Sequence, residues 1–358
     1  MKKITFFILI LITVLYDCQN KILSNKTLID YYTIISNAER NIVDNKLDSA
    51  NIQYNTAFKI WNQPHGKDLY NSMIVALKLK DKKFAENTFQ RLICLEYNFS
   101  DDFFVKYPAL KNIKRQDCNL KIDYAYKKTL DSLFVLDQHY RLLSNRDYKK
   151  FQKEITKSDS ITSTRLLKLI EEKGFPNEYN IGLNSVSKDS FFHKFYYIIW
   201  HQLKTNIFSP QVVNFSDELS KALNAGKINP DNFAFLSDLN NGSNRYDSPY
   251  FDINSFAKNT NDASGIQPGI NNIEENDCCY VHQWFFPKNR NDKGRDIVAE
   301  INVNRKEIGL SSLDQLLLTR LFYLNNKDYF FPEVKFKIHQ FSKQSDVDFF
   351  KKHFIKIK

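Results

Sequence analysis

"LDSANIQYNTAF", Leu47 to Phe58, and "KKFAENTFQRLI", Lys82 to Ile93, carry one helical pattern twice, 35 residues apart (47 against 82). The offset sets Ala50 over Ala85 and Tyr54 over Phe89. A small residue followed one helical turn later by an aromatic lets two helices approach and then wedges them in register. Asn45-Lys46 and Lys80-Asp81 fall in matching turns, and "NQPHGKD", Asn62 to Asp68, separates the two units. Helix pairs recurring at about 34 residues are the logic of tetratricopeptide-type repeats. Residues 27–116 are therefore expected to form two such pairs. Because about three repeats are usually needed for a stable solenoid, these should lean on the rest of the chain.

Working outward, "DDFFVKYPALKNIKR" (Asp101 to Arg115) reads as a cap on the stack, with a boundary near Gln116 to Asn119. From residue 119 to 358 the pattern stays largely helical. Helices are expected over Leu120–Leu143, Tyr148–Ile155 and Thr162–Lys173, the last stopped by Gly174 and Pro176. Further helices are expected over Ser190–Leu203, Ser216–Leu223 and Asn229–Leu239, where Pro230 suits a first helical turn. Residues 240–277, with nine Asn, two Pro and three Gly, form an irregular insertion. A small β element is expected over 278–340. "CCYVHQWFF" and "RDIVAEINV" flank a turn-rich stretch, and Ile297, Ala299, Ile301 and Val303 alternate as a hairpin strand would. Ser311 and Asp314 read as a capping box for a helix at Leu313–Leu324; Val334, Phe336 and Ile338 suggest one more strand. The fold class is mainly α: tetratricopeptide-like helical pairs followed by a helical domain with a small β-hairpin element.

The first residues, "MKKITFFILILITVLYDCQNK", have the order of an export signal: Lys2 and Lys3, then 13 apolar-rich positions from Ile4 to Tyr16, then polar sequence. That run is short of the roughly 20 residues a membrane-spanning helix needs. Cys18 stands where a bacterial lipoprotein carries its lipid, although Tyr16 and Asp17 replace the usual small residues. The expectation is an exported chain, periplasmic or anchored to the outer membrane through Cys18, with residues 1–18 as its signal. A signal cleaved elsewhere or retained as an anchor is the alternative.

The net charge is +10, and removing residues 1–17 (Lys2, Lys3 and Asp17 among them) leaves +9. Basic residues are dispersed among acidic ones with no Arg-rich helix or aromatic strand suited to reading bases, so no nucleic-acid partner is expected. No cysteine pair has C-x-x-C spacing, so neither metal nor cofactor is expected. Cys94, Cys118, Cys278 and Cys279 read as free, half-buried thiols, a Cys94–Cys118 bridge being the alternative in an oxidising compartment.

The polar residues that need explaining sit in "LDSLFVLDQHYRLL", Leu130 to Leu143. At about 100° per residue, Asp137 and Arg141 fall among Leu130, Leu133 and Phe134, one turn apart, while His139 points the other way. Asp137, Gln138 and Arg141 are read as a polar clamp between helices, with a ligand or catalytic site as the alternative. Asp159, Asp238 and Arg305 are further candidates; Asp159 could equally cap a helix starting at Thr162. His201, at the edge of the apolar stripe of "FFHKFYYIIWHQL", is a half-buried histidine or a general base paired with Asp137 or Asp238.

Taken in order, "LDQHYR", Asp159, "LLKLIEEKGFPNEYNIGL", "IIWHQL", "AGKINPDNFAFLSDL" and "INVNRKEIGL" resemble an uncharacterised family of bacterial exported proteins. Its members share D-Q-x-x-R, G-x-P and N-R-x-x-I-G-L motifs, with tetratricopeptide-like helices often preceding them. The resemblance covers roughly Asn119 to Leu310. It departs at Asp238, where Leu and Asn come next instead of the usual Arg, and where the downstream Gln-x-Tyr-Gly element has only Tyr246 and Tyr250 as counterparts. It implies candidate residues and no reaction.

No nucleophile elbow, phosphate loop or zinc-protease motif is present. The expected function is therefore a cell-envelope binding or interaction module, taking a peptide or protein partner at the helical repeats. The alternative is an envelope hydrolase using His201 with Asp137 or Asp238 under the 240–277 insertion.

Overall fold

The computed structural model describes residues 22–114, 116–184, 186, 191–247, 252–258, 277–283, 286, 296–332, 336–341 and 343–357. Cys18, Tyr250, Val334 and most of the insertion lie outside these. The described chain is mainly helical with a small four-stranded sheet. None of its described helices is long and apolar enough to cross a membrane.

Two helix pairs open the fold, α1 (Lys26–Val43) with α2 (Leu47–Ile60) and α3 (Gly66–Leu79) with α4 (Lys82–Cys94). The residues that defined the sequence repeat are its packing centres. Ala50, Tyr54, Ala85 and Phe89 are all buried. Helix α3 is buried at ten positions between Gly66 and Ala76, so the rest of the chain encloses it. Two short helices, α5 (Asp101–Lys106) and α6 (Pro108–Lys111), close the stack; α5 is capped by Ser100 and α6 opened by Pro108.

The next helices are α7 (Tyr124–Leu143), α8 (Gln152–Lys173), α9 (Glu178–Ile181), α10 (Tyr196–His201), α11 (Ser216–Asn224) and α12 (Pro230–Asn241). Three expectations are corrected here. Helix α7 starts at Tyr124, where the Asp123 side chain accepts from the Tyr126 N–H. A 3-10 turn at Tyr148–Phe151 leads into one unbroken α8, which places Asp159 in mid-helix rather than at a cap. Among the described residues of the expected Ser190–Leu203 helix, only Tyr196–His201 is α-helical.

The β element also differs from the hairpin that alternation suggested. "IVAEINV", Ile297 to Val303, belongs to a helix, α13 (Ile297–Glu307), capped by Asp296 and burying Val298, Ile301 and Arg305 at positions i, i+3 and i+7. Its alternating partners Ile297 and Val303 are 47% and 60% exposed. Strand β2 (Asp277–His282) pairs instead with β1 (Ile253–Lys258), which comes from the insertion. Strand β3 (Phe336–Phe341) runs parallel to β1, and β4 (Phe354–Lys356) antiparallel to β2, giving the order β3-β1-β2-β4. Helix α14 (Leu313–Asn325) is capped by Ser312, one residue after the expected Ser311, and α15 (Gln344–His353) precedes the last strand.

One apolar cluster runs from Leu23 through Leu166, Ile199 and Phe233 to Ile308 and Phe331, so the repeats and the helices after them share a core. A second, smaller cluster joins the sheet to α13 and α14. The cysteines are also corrected. Cys94 is bonded to Cys118, tying the end of α4 to the segment before α7, and Cys278 is bonded to Cys279.

Candidate functional site

Helices α7, α8 and α10 meet at two carboxylates, a guanidinium and an imidazole. Helix α7 supplies Asp137 and Arg141, α8 supplies Asp159, and α10 supplies His201. Both carboxylates are fully buried; the Arg141 and His201 side chains are 12% and 18% exposed. The Arg141 guanidinium grips Asp159 with both terminal nitrogens, at 2.7 and 2.9 Å, and donates to the Asp137 carbonyl at 2.9 Å. His201 Nδ1 lies 2.9 Å from Asp137 Oδ2, and the Gln138 amide donates to the same oxygen at 2.7 Å. Ser158 donates to the Leu136 carbonyl beside them. The Nη2–Oδ2 hydrogen bond is charge-assisted, and the Nη1–Oδ1 contact adds an ion pair. The four groups stitch three helices together. His139 is exposed and takes no part.

Asp137, Asp159 and His201 each offer an atom within 4.8 Å of the others, a spacing that a metal ion could bridge. Arg141 already occupies the cationic position between the carboxylates, so the donor set fits an internal ion pair better than a metal. An aspartate on Nδ1 also orients a histidine as a general base requires. Among the described residues, however, no hydroxyl or thiol bonds to His201, and it does not line the cavity beside Trp200.

That cavity, of about 550 Å³, opens beside the other face of α10. Tyr197 and Trp200 stack at 5.6 Å, and Phe235 of α12 meets Trp200 edge-on at 5.0 Å, giving an aromatic wall. Phe191, Phe192, Phe330 and Phe331 extend it. Asp238 and Arg305 line the polar side, which separates them from the Asp137–His201 cluster. Asp238 is thus corrected as a partner of His201: it accepts from Ser243 Oγ at 2.6 Å and from the N–H groups of Arg245 and Tyr246 at 2.8 and 2.9 Å, fixing the turn after α12. Burial raises its pKa against the pull of those bonds. Arg305 donates from Nε to the Ser311 carbonyl at 2.6 Å and from Nη1 to the Tyr246 carbonyl at 2.8 Å. Burial lowers its pKa.

A second polar group at the base of this cavity escaped sequence reasoning. Lys67, in "NQPHGKD", is a buried cation 2.5 Å from Glu39 and 3.3 Å from Asp231. Asp68 accepts from Tyr31 Oη at 2.5 Å, and the Glu178 carboxylate accepts from the Gly66 N–H at 2.7 Å. Lys67, Asp231 and Arg305 also border a void of about 30 Å³, room for one water. Nothing in spacing marks this group, because Glu39 lies 28 residues before Lys67 and Asp231 lies 164 after it. The turn-like composition of the stretch concealed its burial.

Comparison with protein-family models, with curated proteins and with solved structures finds no match to the chain.

Proposed function

We propose that the chain is an exported cell-envelope binding protein whose ligand seats in the 550 Å³ cavity. The observation that carries this reading is the cavity's division into an aromatic wall and a charged side, at a volume typical of small-molecule sites. The signal-like first residues and the Cys94–Cys118 bond support an oxidising compartment. Because α3 is enclosed by the chain itself, a peptide or protein partner at the repeats is left their outer faces, and a small ligand in the cavity is the better fit.

The test is a titration with 8-anilinonaphthalene-1-sulfonate, an aromatic anion that brightens in apolar sites. Emission should rise and saturate at one probe per chain, and Ala234→Trp, which fills the cavity from α12, should abolish it while circular dichroism shows a native melt. Phe235→Arg serves the same purpose should the larger side chain prevent folding. Probe binding unchanged in folded variants rejects the cavity as the site. Lipid anchoring is tested separately, by a fatty-acid label present on the native chain and absent from Cys18→Ser.

The 2.9 Å Asp137–His201 contact favours a second reading, a hydrolase with His201 as base. It requires turnover of an ester, peptide or glycoside reporter that Asp137→Asn and His201→Ala both abolish. The absence of turnover by the native chain removes it.

A further inference from the structure

We infer that the cavity selects a ligand bearing an acid group and that Arg305 receives it. This rests on the reading of the cavity as a binding site and adds the chemistry of what enters. The other charges around the cavity are already matched. Lys67 closes on Glu39 and Asp231, Arg320 Nη2 on Asp247 at 2.8 Å, and Lys337 on Asp252 at 2.7 Å. Asp238 is satisfied by the turn that it organises.

Arg305 is different. It is 3% exposed, and among the described residues no carboxylate oxygen lies within 4.0 Å of it. Its Nε and Nη1 are held by two backbone carbonyls, and Nη2 has no partner among the described residues. Asp231, Asp247 and Asp238 favour its charge only from beyond ion-pair distance, so the buried guanidinium has no carboxylate in contact, and a carboxylate is the group its planar fork fits best. The two carbonyls fix the plane of the fork, so little rotamer freedom remains to be lost when an anion arrives. Across the cavity, Trp200 and Phe235 offer an apolar surface to the rest of such a molecule. The ligand class is therefore an amphipathic carboxylic acid, with its carboxylate on Arg305 Nη2 and its apolar body against the aromatic wall.

Calorimetric titration of the native chain at pH 7.5 with dodecanoate, dodecan-1-ol and dodecylammonium tests this. Dodecanoate should bind about tenfold or more tighter than the alcohol, the scale of one charge-assisted hydrogen bond, and the amine should bind worst. Arg305→Met should erase the preference for the acid while leaving the alcohol's affinity within about twofold, since a methionine preserves the apolar surface. If Arg305→Met does not fold, Arg305→Lys carries the test: it keeps the charge, loses the fork, and should weaken dodecanoate about fivefold without affecting the alcohol. A native chain that binds alcohol as tightly as acid overturns the inference and leaves the cavity reading standing. A preference that survives Arg305→Met, or that Arg305→Lys leaves undiminished, removes Arg305 from it. If none of the three binds, the cavity reading falls and this inference with it.

Discussion

His201 Nδ1 lies 2.9 Å from a carboxylate oxygen of Asp137, and the same aspartate receives Gln138 and lies beside an arginine held by Asp159. The pair therefore belongs to a four-residue polar knot between three helices. Asp137→Ala leaves Arg141 and His201 facing a buried gap and should cost about 3–5 kcal/mol in urea unfolding. Asp137→Asn, which keeps the shape and some hydrogen bonding, should cost less. Neither should alter anilinonaphthalenesulfonate binding in the folded fraction. A stability loss under about 1 kcal/mol for the alanine variant would show that the knot is not structural.

The Cys94–Cys118 bond closes a segment with a sequence separation of 24 residues. Loop-closure entropy for a ring of that size amounts to roughly 3 kcal/mol. The double variant Cys94→Ser/Cys118→Ser should lose about that much stability under non-reducing conditions. Free-thiol titration of the unfolded native chain, before and after reduction, checks the bond itself.

His193 is 1% exposed, and burial lowers its pKa from 6.5 to about 4. The folded chain thus binds fewer protons there than the unfolded chain between those values. Its contribution to stability is fully present above about pH 6.5 and is lost as pH falls toward 4. The full span is worth about 3 kcal/mol. His193→Phe should flatten this part of the stability profile, measured as urea midpoints at pH 7.5, 6, 5 and 4.

Gly309, in the "INVNRKEIGL" stretch, has φ +80°, and a Cβ there would lie 2.4 Å from the Cβ of Tyr32 in α1. Both the left-handed backbone and the contact with the first repeat helix exclude a side chain. Gly309→Ala should cost about 2–5 kcal/mol by thermal or urea unfolding, backbone strain and overpacking together.

How much of the molecule is legible in its sequence depends on the range of each interaction. Ala50, Tyr54, Ala85 and Phe89 were legible because helix pairing is local and leaves a period. The Asp137–Arg141 relation was legible as two residues one turn apart, whereas their partners Asp159 and His201 come from other helices. Alternation misread Ile297 to Val303 because α13 buries only one side, and the alternating residues included exposed ones. The Lys67 group could not be read at all, since its members meet only after the whole chain has closed.

Asn71, inside α3, donates to the Phe330 carbonyl and accepts from the Phe330 N–H, both at 2.7 Å, across 259 residues of sequence. A side-chain amide here stands in for a strand neighbour. During synthesis α3 emerges early, yet this neighbour reaches it only when the chain is nearly finished. The fold of the first helices is thus fastened by a residue that follows them far along the chain, and a truncation that removes Phe330 would leave the Asn71 amide buried without its two backbone partners.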